Sequence, residues 1–240
     1  MFINPGDLVN NPGTVEEIEE ASMRFVTHAL VEYRQNAQLI FAEESDLAGD
    51  IGEDITREAL DRIGMSKIDV RLYGKIDYKK ARYFFHPQYA VKQALFVDSK
   101  AEKDDPRTAT IQTAQTSMRI MFYGGRGAAR VTFDEQGTLP RIVEKEGNRF
   151  LTTTIFVKYN YAVTDDRNDL ISIITAAIPN GMLQTYYNPN AGDTIWRVGR
   201  HAPTLGEAFR VRLVFQKLQD KRRWRVQQIP MAPAPFTWQQ

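Results

Sequence analysis

At Lys67 the spacing of apolar residues changes, and that change limits what the chain can fold into more than any other feature. Before it, Val15, Ile18, Phe25, Val26, Ala29, Leu30 and Tyr33 recur at helical spacing and predict one buried stripe on a long helix reaching to about residue 42. A turn at residues 11–13 precedes that helix, with Thr14 as the expected N-cap and Glu17 as its capping-box partner. GEDITREALDRIG predicts a second helix stopped by Gly64, with Ile55, Ala59 and Ile63 on its core face and Leu60 at the edge. After Lys67, DVRLYGKIDYKKARYFF and YAVKQALFVDSK alternate or cluster β-branched and aromatic residues around a His86-Pro87 turn, the mark of paired strands. RTATIQTAQTSMRIMFYGG reads as a helix ended by glycines. LTTTIFVKYNYAV and LISIITAAIP read as strands joined by the polar turn DDRND, and YYNPNAGDTIWRVGRHAPTLG reads as a loop. AFRVRLVFQKL and RRWRVQQI are expected to be a last pair of strands before an extended, Pro-rich tail.

At 240 residues and 42% hydrophobic content, the chain can bury a sizeable core and fits one elaborate domain over residues 1–240. A formal charge of +1 excludes a globally basic nucleic-acid binder and leaves the question to local patches. The absence of cysteine excludes disulfides, thiolate metal sites and cysteine nucleophiles, so any metal must be held by oxygen or histidine. The N-terminal stretch MFINPGDLVNNPG lacks a basic region followed by an apolar core, and no run approaches the roughly 18 apolar residues of a membrane span. The expectation is a soluble, cytoplasmic protein.

Within the paired runs, Asp77 stands at the head of one and Asp98-Ser99-Lys100 at the end of the next. Successive side chains of a strand project to opposite faces, so Asp98 and Lys100 share a side while Ser99 points away. If Asp77 opens the neighbouring strand, its carboxylate joins Asp98 and a backbone carbonyl, at Ser99, in the oxygen shell that Mg²⁺ prefers. Lys100 then sits beside an attacking water and offsets charge on a phosphorane-like transition state. Glu53 lies about 20° from Leu60 around the second helix and is the candidate fourth carboxylate, with Asp54 on the polar side. A plainer explanation stands beside this one: a solvated strand edge, and acids that favour a helix N-terminus.

Asp77 followed by Asp98-Ser99-Lys100 resembles the PD-(D/E)XK nuclease signature, with Ile76 where the family's proline stands. More specifically, GEDITREAL, KIDYKKARY, LFVDSKA, TTTIFVKYNY, YYNPN, GRHAPTLGEAFRVRLVF and WRVQQ occur in the order found in SfiI-like type II restriction endonucleases, which are related to BglI. The resemblance implies an α/β restriction-endonuclease-like fold, a central mixed β-sheet flanked by helices. It implies a catalytic core at about residues 50–120 and a DNA-recognition segment at about 195–228. Asp77, Asp98 and Lys100 fall on the catalytic positions. Arg200, Arg210 and Arg212 match residues that contact guanines in the major groove, and Arg107 one that reaches the minor groove. Arg210 and Arg212 are two apart on an expected strand, so both address one side; each good bidentate arginine–guanine contact discriminates by roughly 1–3 kcal/mol. Arg200 replaces the family's lysine, exchanging a point charge for a fork. His201, beside it, is a candidate phosphate contact. The implied activity is Mg²⁺-dependent cleavage of an interrupted, G·C-rich palindrome, with 5′-phosphates and 3′ overhangs, by a homodimer or a homotetramer. A cognate DNA methyltransferase is expected in the same host. SfiI-like enzymes act as tetramers that bridge two sites, whereas the BglI type acts as a dimer on one.

Other signals are weaker. YGGRGAAR lacks the spacing of a phosphate loop, and the three histidines are too scattered for a zinc site. KRRWR, residues 221–225, reads equally as a phosphate grip or a charged hairpin turn. Two rivals remain open on sequence: a PD-(D/E)XK nuclease of repair or junction resolution, and a DNA-binding module without catalysis.

Overall fold

The computed structural model describes residues 2–43, 48–62, 81–86, 88–103, 107–124, 131–164, 167–199 and 210–240. Helix α1, Pro12–Glu43, begins two residues before the expected cap. Asn11 caps it, its side-chain oxygen accepting from the Thr14 N–H at 3.4 Å, and Pro12 takes the first helical position, where a missing N–H costs nothing. The stripe is buried as its spacing predicts, except that Phe25 is only partly covered. The same face also buries polar groups. Gln93 Nε2 donates to Ser22 Oγ at 2.8 Å, Thr27 and Thr175 share a hydrogen bond of 2.9 Å, and Glu19 pairs with Arg225 at 2.7 Å.

Helix α2, Ala48–Arg62, buries Ile55 and Ala59 as expected, and Leu60 is as buried as they are rather than at an edge. Ile63 and Gly64 lie outside the described residues. Gly52 lets α2 approach the sheet: a Cβ there would lie 3.0 Å from the Tyr159 ring.

The central sheet runs β1 (Arg82–His86), β2 (Val91–Glu102), β7 (Asn148–Thr164), β8 (Arg167–Ile178) and β11 (Val226–Pro230), with β6 (Ile142–Lys145) paired to the start of β7. It is mixed: β2 and β7 are parallel, and the other pairs are antiparallel. Ile155, Val157 and Tyr159 of β7 pack against α1 and α2. Phe156, one step out of phase, packs on the opposite side. That side is covered by a three-stranded sheet in the order β3 (Thr108–Gln112), β10 (Arg210–Val214), β9 (Trp196–Val198). A further hairpin joins β4 (Arg119–Gly124) to β5 (Val131–Gln136).

Three expectations fail here. The stretch expected as a helix from Arg107 forms β3, a 3₁₀ turn at Thr113–Gln115 and β4. The expected loop after Tyr186 contains the end of a one-turn helix, α3 (Gln184–Tyr187), and then β9. The expected last pair of strands does not pair: β10 joins the second sheet, helix α4 (Phe215–Lys221) follows directly, and β11 joins the central sheet. For β3 and β10 the physical reason is long-range pairing. β3 pairs with β10 across some hundred residues of sequence, and partners so distant override local propensity.

Candidate active site

Strand β2 carries the apolar residues Ala94 and Leu95 into the core, then turns polar at Asp98-Ser99-Lys100. In register with β7, Asp98 lies beside Phe156, Ser99 beside Val157 and Lys100 beside Lys158. Ser99 faces the helices as the alternation requires: it is buried, and its Oγ donates to Thr56 Oγ1 of α2 at 2.7 Å. Asp98 and Lys100 face the second sheet, both half-buried, with Asp98 Oδ2 shielded from solvent. Lys100 Nζ donates to the Thr110 carbonyl of β3 at 3.3 Å and lies 6.0 Å from the Phe156 ring centre.

Of the other candidates, Asp77 and Ile76 lie outside the described residues, as do Arg200 and His201. Glu53 is exposed on α2, and that helix packs on the Ser99 side of β2. Among the described residues no group of three or more His, Asp or Glu gathers to hold a metal, Asp77 not being among them. The donors that β2 does offer at this end, a carboxylate and main-chain carbonyls, are hard oxygens of the kind Mg²⁺ takes.

A strand forms where one bearing Arg210 and Arg212 is expected. Val211 and Leu213 of β10 are fully buried, while Arg212 between them is half-buried on the other face, its Nη1 donating to Thr108 Oγ1 at 2.9 Å. The backbone of Arg210 pairs with Gln112. Arg107 is exposed at the start of β3, its carbonyl accepting from the Phe215 N–H at 3.1 Å, which anchors it to the end of β10. A residue the sequence reading missed joins them: Arg197 of β9 is exposed and sits directly across from Arg212. The β-branched and aromatic residues Ile195, Trp196 and Val198 around it could have marked a strand, but a surrounding run rich in Asn and Gly hid three strand residues inside an apparent loop.

KRRWR is not the hairpin turn that one of its two readings expected. It covers the end of α4 and a 3₁₀ turn, Arg223–Arg225. Arg225 is fully buried against Glu19, while Lys221 pairs with Asp193 at 2.7 Å and Arg222 with Glu16 at 3.3 Å. The glycine-rich stretch ends β4 at Gly124 and then leaves the described residues. His28 packs edge-on to Phe236, and His86 is buried among aromatic rings.

The model of the family described as "Type II restriction enzyme SfiI" matches residues 21–229. The type II restriction enzyme SfiI of Streptomyces fimbriatus is 31% identical over 227 residues, 90% of this chain and 84% of that protein. The chain belongs to the SfiI family. A crystal structure of tetrameric SfiI bound to cognate DNA aligns over 99% of this chain and 93% of that one, with a TM-score of 0.83 and 27% identity. The restriction endonuclease BglI bound to its DNA recognition sequence shares the fold, with a TM-score of 0.75 over 95% of this chain and 94% of that one at 18% identity. As a member of the SfiI family, this chain is a type II restriction endonuclease, a DNA-cleaving enzyme with the α/β architecture expected of it. That rules out the non-catalytic rival.

Proposed function

We propose that this enzyme hydrolyses both strands of duplex DNA at an interrupted, G·C-rich palindrome, using Mg²⁺ and leaving 5′-phosphates and 3′ overhangs. The observation that carries the proposal is the common facing of Asp98 and Lys100 toward β3, whose partner strand β10 bears Arg212. Cutting groups and reading groups then lie on two strands that share a neighbour.

Asp77, Asp98 and the main-chain carbonyl of Ser99 would hold the metal, which supplies Lewis acidity at the scissile phosphate when bound. Lys100 orients the attacking water and offsets the negative charge that gathers on the phosphorus centre. Asp98 orients the same water by accepting from it. Glu53 is the fourth carboxylate of the proposal. Arg200, Arg210 and Arg212 read guanines in the major groove, Arg107 reaches the minor groove and His201 touches phosphate. In this reading the chain is one domain, with catalysis centred on residues 50–120 and recognition on 195–228. A palindromic site follows from two-fold symmetry, each subunit reading one half, so the enzyme acts as a homodimer or homotetramer. SfiI itself is tetrameric on cognate DNA. The proposal includes a cytoplasmic setting, where a cognate methyltransferase protects host DNA.

Asp98→Ala should abolish cleavage while binding to the cognate duplex in Ca²⁺ survives; retained cutting would sink the metal assignment. Digestion of a plasmid of known sequence, followed by run-off sequencing of the ends, reads recognition site, spacer and overhang together. Blunt or 5′-overhanging ends, or a site without G·C pairs, would overturn that part of the reading. A junction-resolving nuclease would leave the linear duplex intact.

A further inference from the structure

Lys158 presents a problem that the cleavage chemistry leaves unsolved. It sits on β7 in register with Lys100, is fully buried, and donates from Nζ to Glu102 Oε2 at 2.5 Å and to the Thr108 carbonyl at 3.0 Å. Glu102 is partly exposed and continues the alternation of Asp98 and Lys100 along β2. Burying a cation is a costly way to fill volume, since an unbranched apolar side chain would occupy the same space without desolvation. What lysine adds is direction: several donors aimed at fixed acceptors.

One of those acceptors, Glu102, closes β2, and the other, Thr108, opens β3, an edge strand of the second sheet. Carbonyls of residues i and i+2 leave a strand on the same side, and here Thr108 and Thr110 direct theirs at the central sheet, to Lys158 and Lys100. On its other edge β3 pairs with β10, where Arg212 lies opposite Thr110 and donates to Thr108 Oγ1 at 2.9 Å. Thr108 therefore stands between the buried lysine and the arginine of the reading strand.

We infer that Lys158, held by Glu102, is a positioning residue that sets the separation between cutting strand β2 and reading strand β10, so that a correctly read site brings Lys100 and Asp98 into line with the scissile phosphate. The inference rests on the proposed roles of Asp98, Lys100 and Arg212. A displacement of about 1 Å of a catalytic group can cost on the order of 10²-fold in rate, so small changes in how β3 seats on β2 and β7 are enough to matter.

The test compares Lys158→Met, Glu102→Gln and the double variant in the full chain. Readouts are affinity for the cognate duplex in Ca²⁺, single-turnover cleavage in Mg²⁺, and cleavage of a duplex altered at one recognised base pair. The expected result is cognate affinity within about threefold of the parent, cleavage slower by about 10- to 100-fold, and a smaller ratio of cognate to altered-site cleavage. The double variant should be no slower than the worse single variant, because the two residues act as one unit. If Lys158→Met does not fold, Glu102→Gln carries the test, its side chain being partly in solvent. Cleavage unchanged in Glu102→Gln, or affinity and cleavage falling in proportion, overturns the inference. Asp98→Ala and Arg212→Ala run beside these: if Asp98→Ala cuts normally, or Arg212→Ala leaves site preference intact, the underlying site reading has failed instead.

Discussion

A one-residue step along β2 moves a side chain from the helices to the second sheet: Ser99 donates to Thr56 of α2, and Lys100 donates to the Thr110 carbonyl of β3. Because the side-chain period of a strand is two, that division was legible from the sequence alone. The fate of the basic residues was not. Arg225 looked like part of a cationic surface run, yet it is sealed against Glu19, with its Nε on the Tyr187 hydroxyl. His86 illustrates how burial acts on a single group. Its Nδ1 accepts from the Gln88 N–H at 3.3 Å, and its Nε2 is buried among Phe25, Phe84 and Tyr89 with no hydrogen-bond partner among the described residues. Burial pulls its pKa from 6.5 down to about 4. The unfolded chain therefore takes up this proton at a higher pH than the folded one, so the stability at stake is complete above pH 6.5 and is lost as pH falls toward 4. Urea midpoints measured at neutral pH and near pH 5 should show the drop, and His86→Phe should flatten it. An unchanged slope in that variant would assign the pH dependence elsewhere.

At the scale of elements, β10 shows how one short strand serves two purposes. Val211 and Leu213 anchor it in the core, while Arg212 faces the other way. Leu213→Ala should cost about 2–5 kcal/mol in urea unfolding, the range for a large-to-small change at a buried leucine. Arg212→Ala should change stability little and lose preference for the cognate site more than affinity for arbitrary DNA. A uniform loss of affinity would make Arg212 a phosphate contact. Arg197, across the β9–β10 ladder, invites the same assay. The two long helices and the β7–β8 hairpin were readable because each carries its periodicity within a continuous run. TATIQ, rich in threonine, suits helix or strand equally until β10 pairs with it, so β3 is not legible from its own residues. The same holds for β9, three residues long, which becomes a strand by pairing with Val211, Arg212 and Leu213.

For the whole molecule, the decisive arrangement is a central sheet with helices on one face and a second sheet on the other. No helix among the described residues is long and apolar enough to cross a membrane. If the enzyme follows the tetrameric pattern of SfiI, a plasmid with two cognate sites should be cut faster than one with a single site, and adding a short cognate duplex in trans should speed the single-site reaction. Equal rates on both plasmids, with a dimer mass in sedimentation, would place it with the dimeric mode instead.

Order and spacing within short runs were enough to specify the two long helices, the β1–β2 and β7–β8 hairpins, the family and the shared face of Asp98 and Lys100. Only the way distant segments meet shows that β3 bridges β2 and β10, that Arg197 stands beside Arg212, and that Lys158 and Arg225 are interior cations. Those facts depend on which distant segments meet. A buried charge is written in the chain with the same letter as an exposed one, and only the partner across the fold, Glu102 for Lys158 and Glu19 for Arg225, tells them apart.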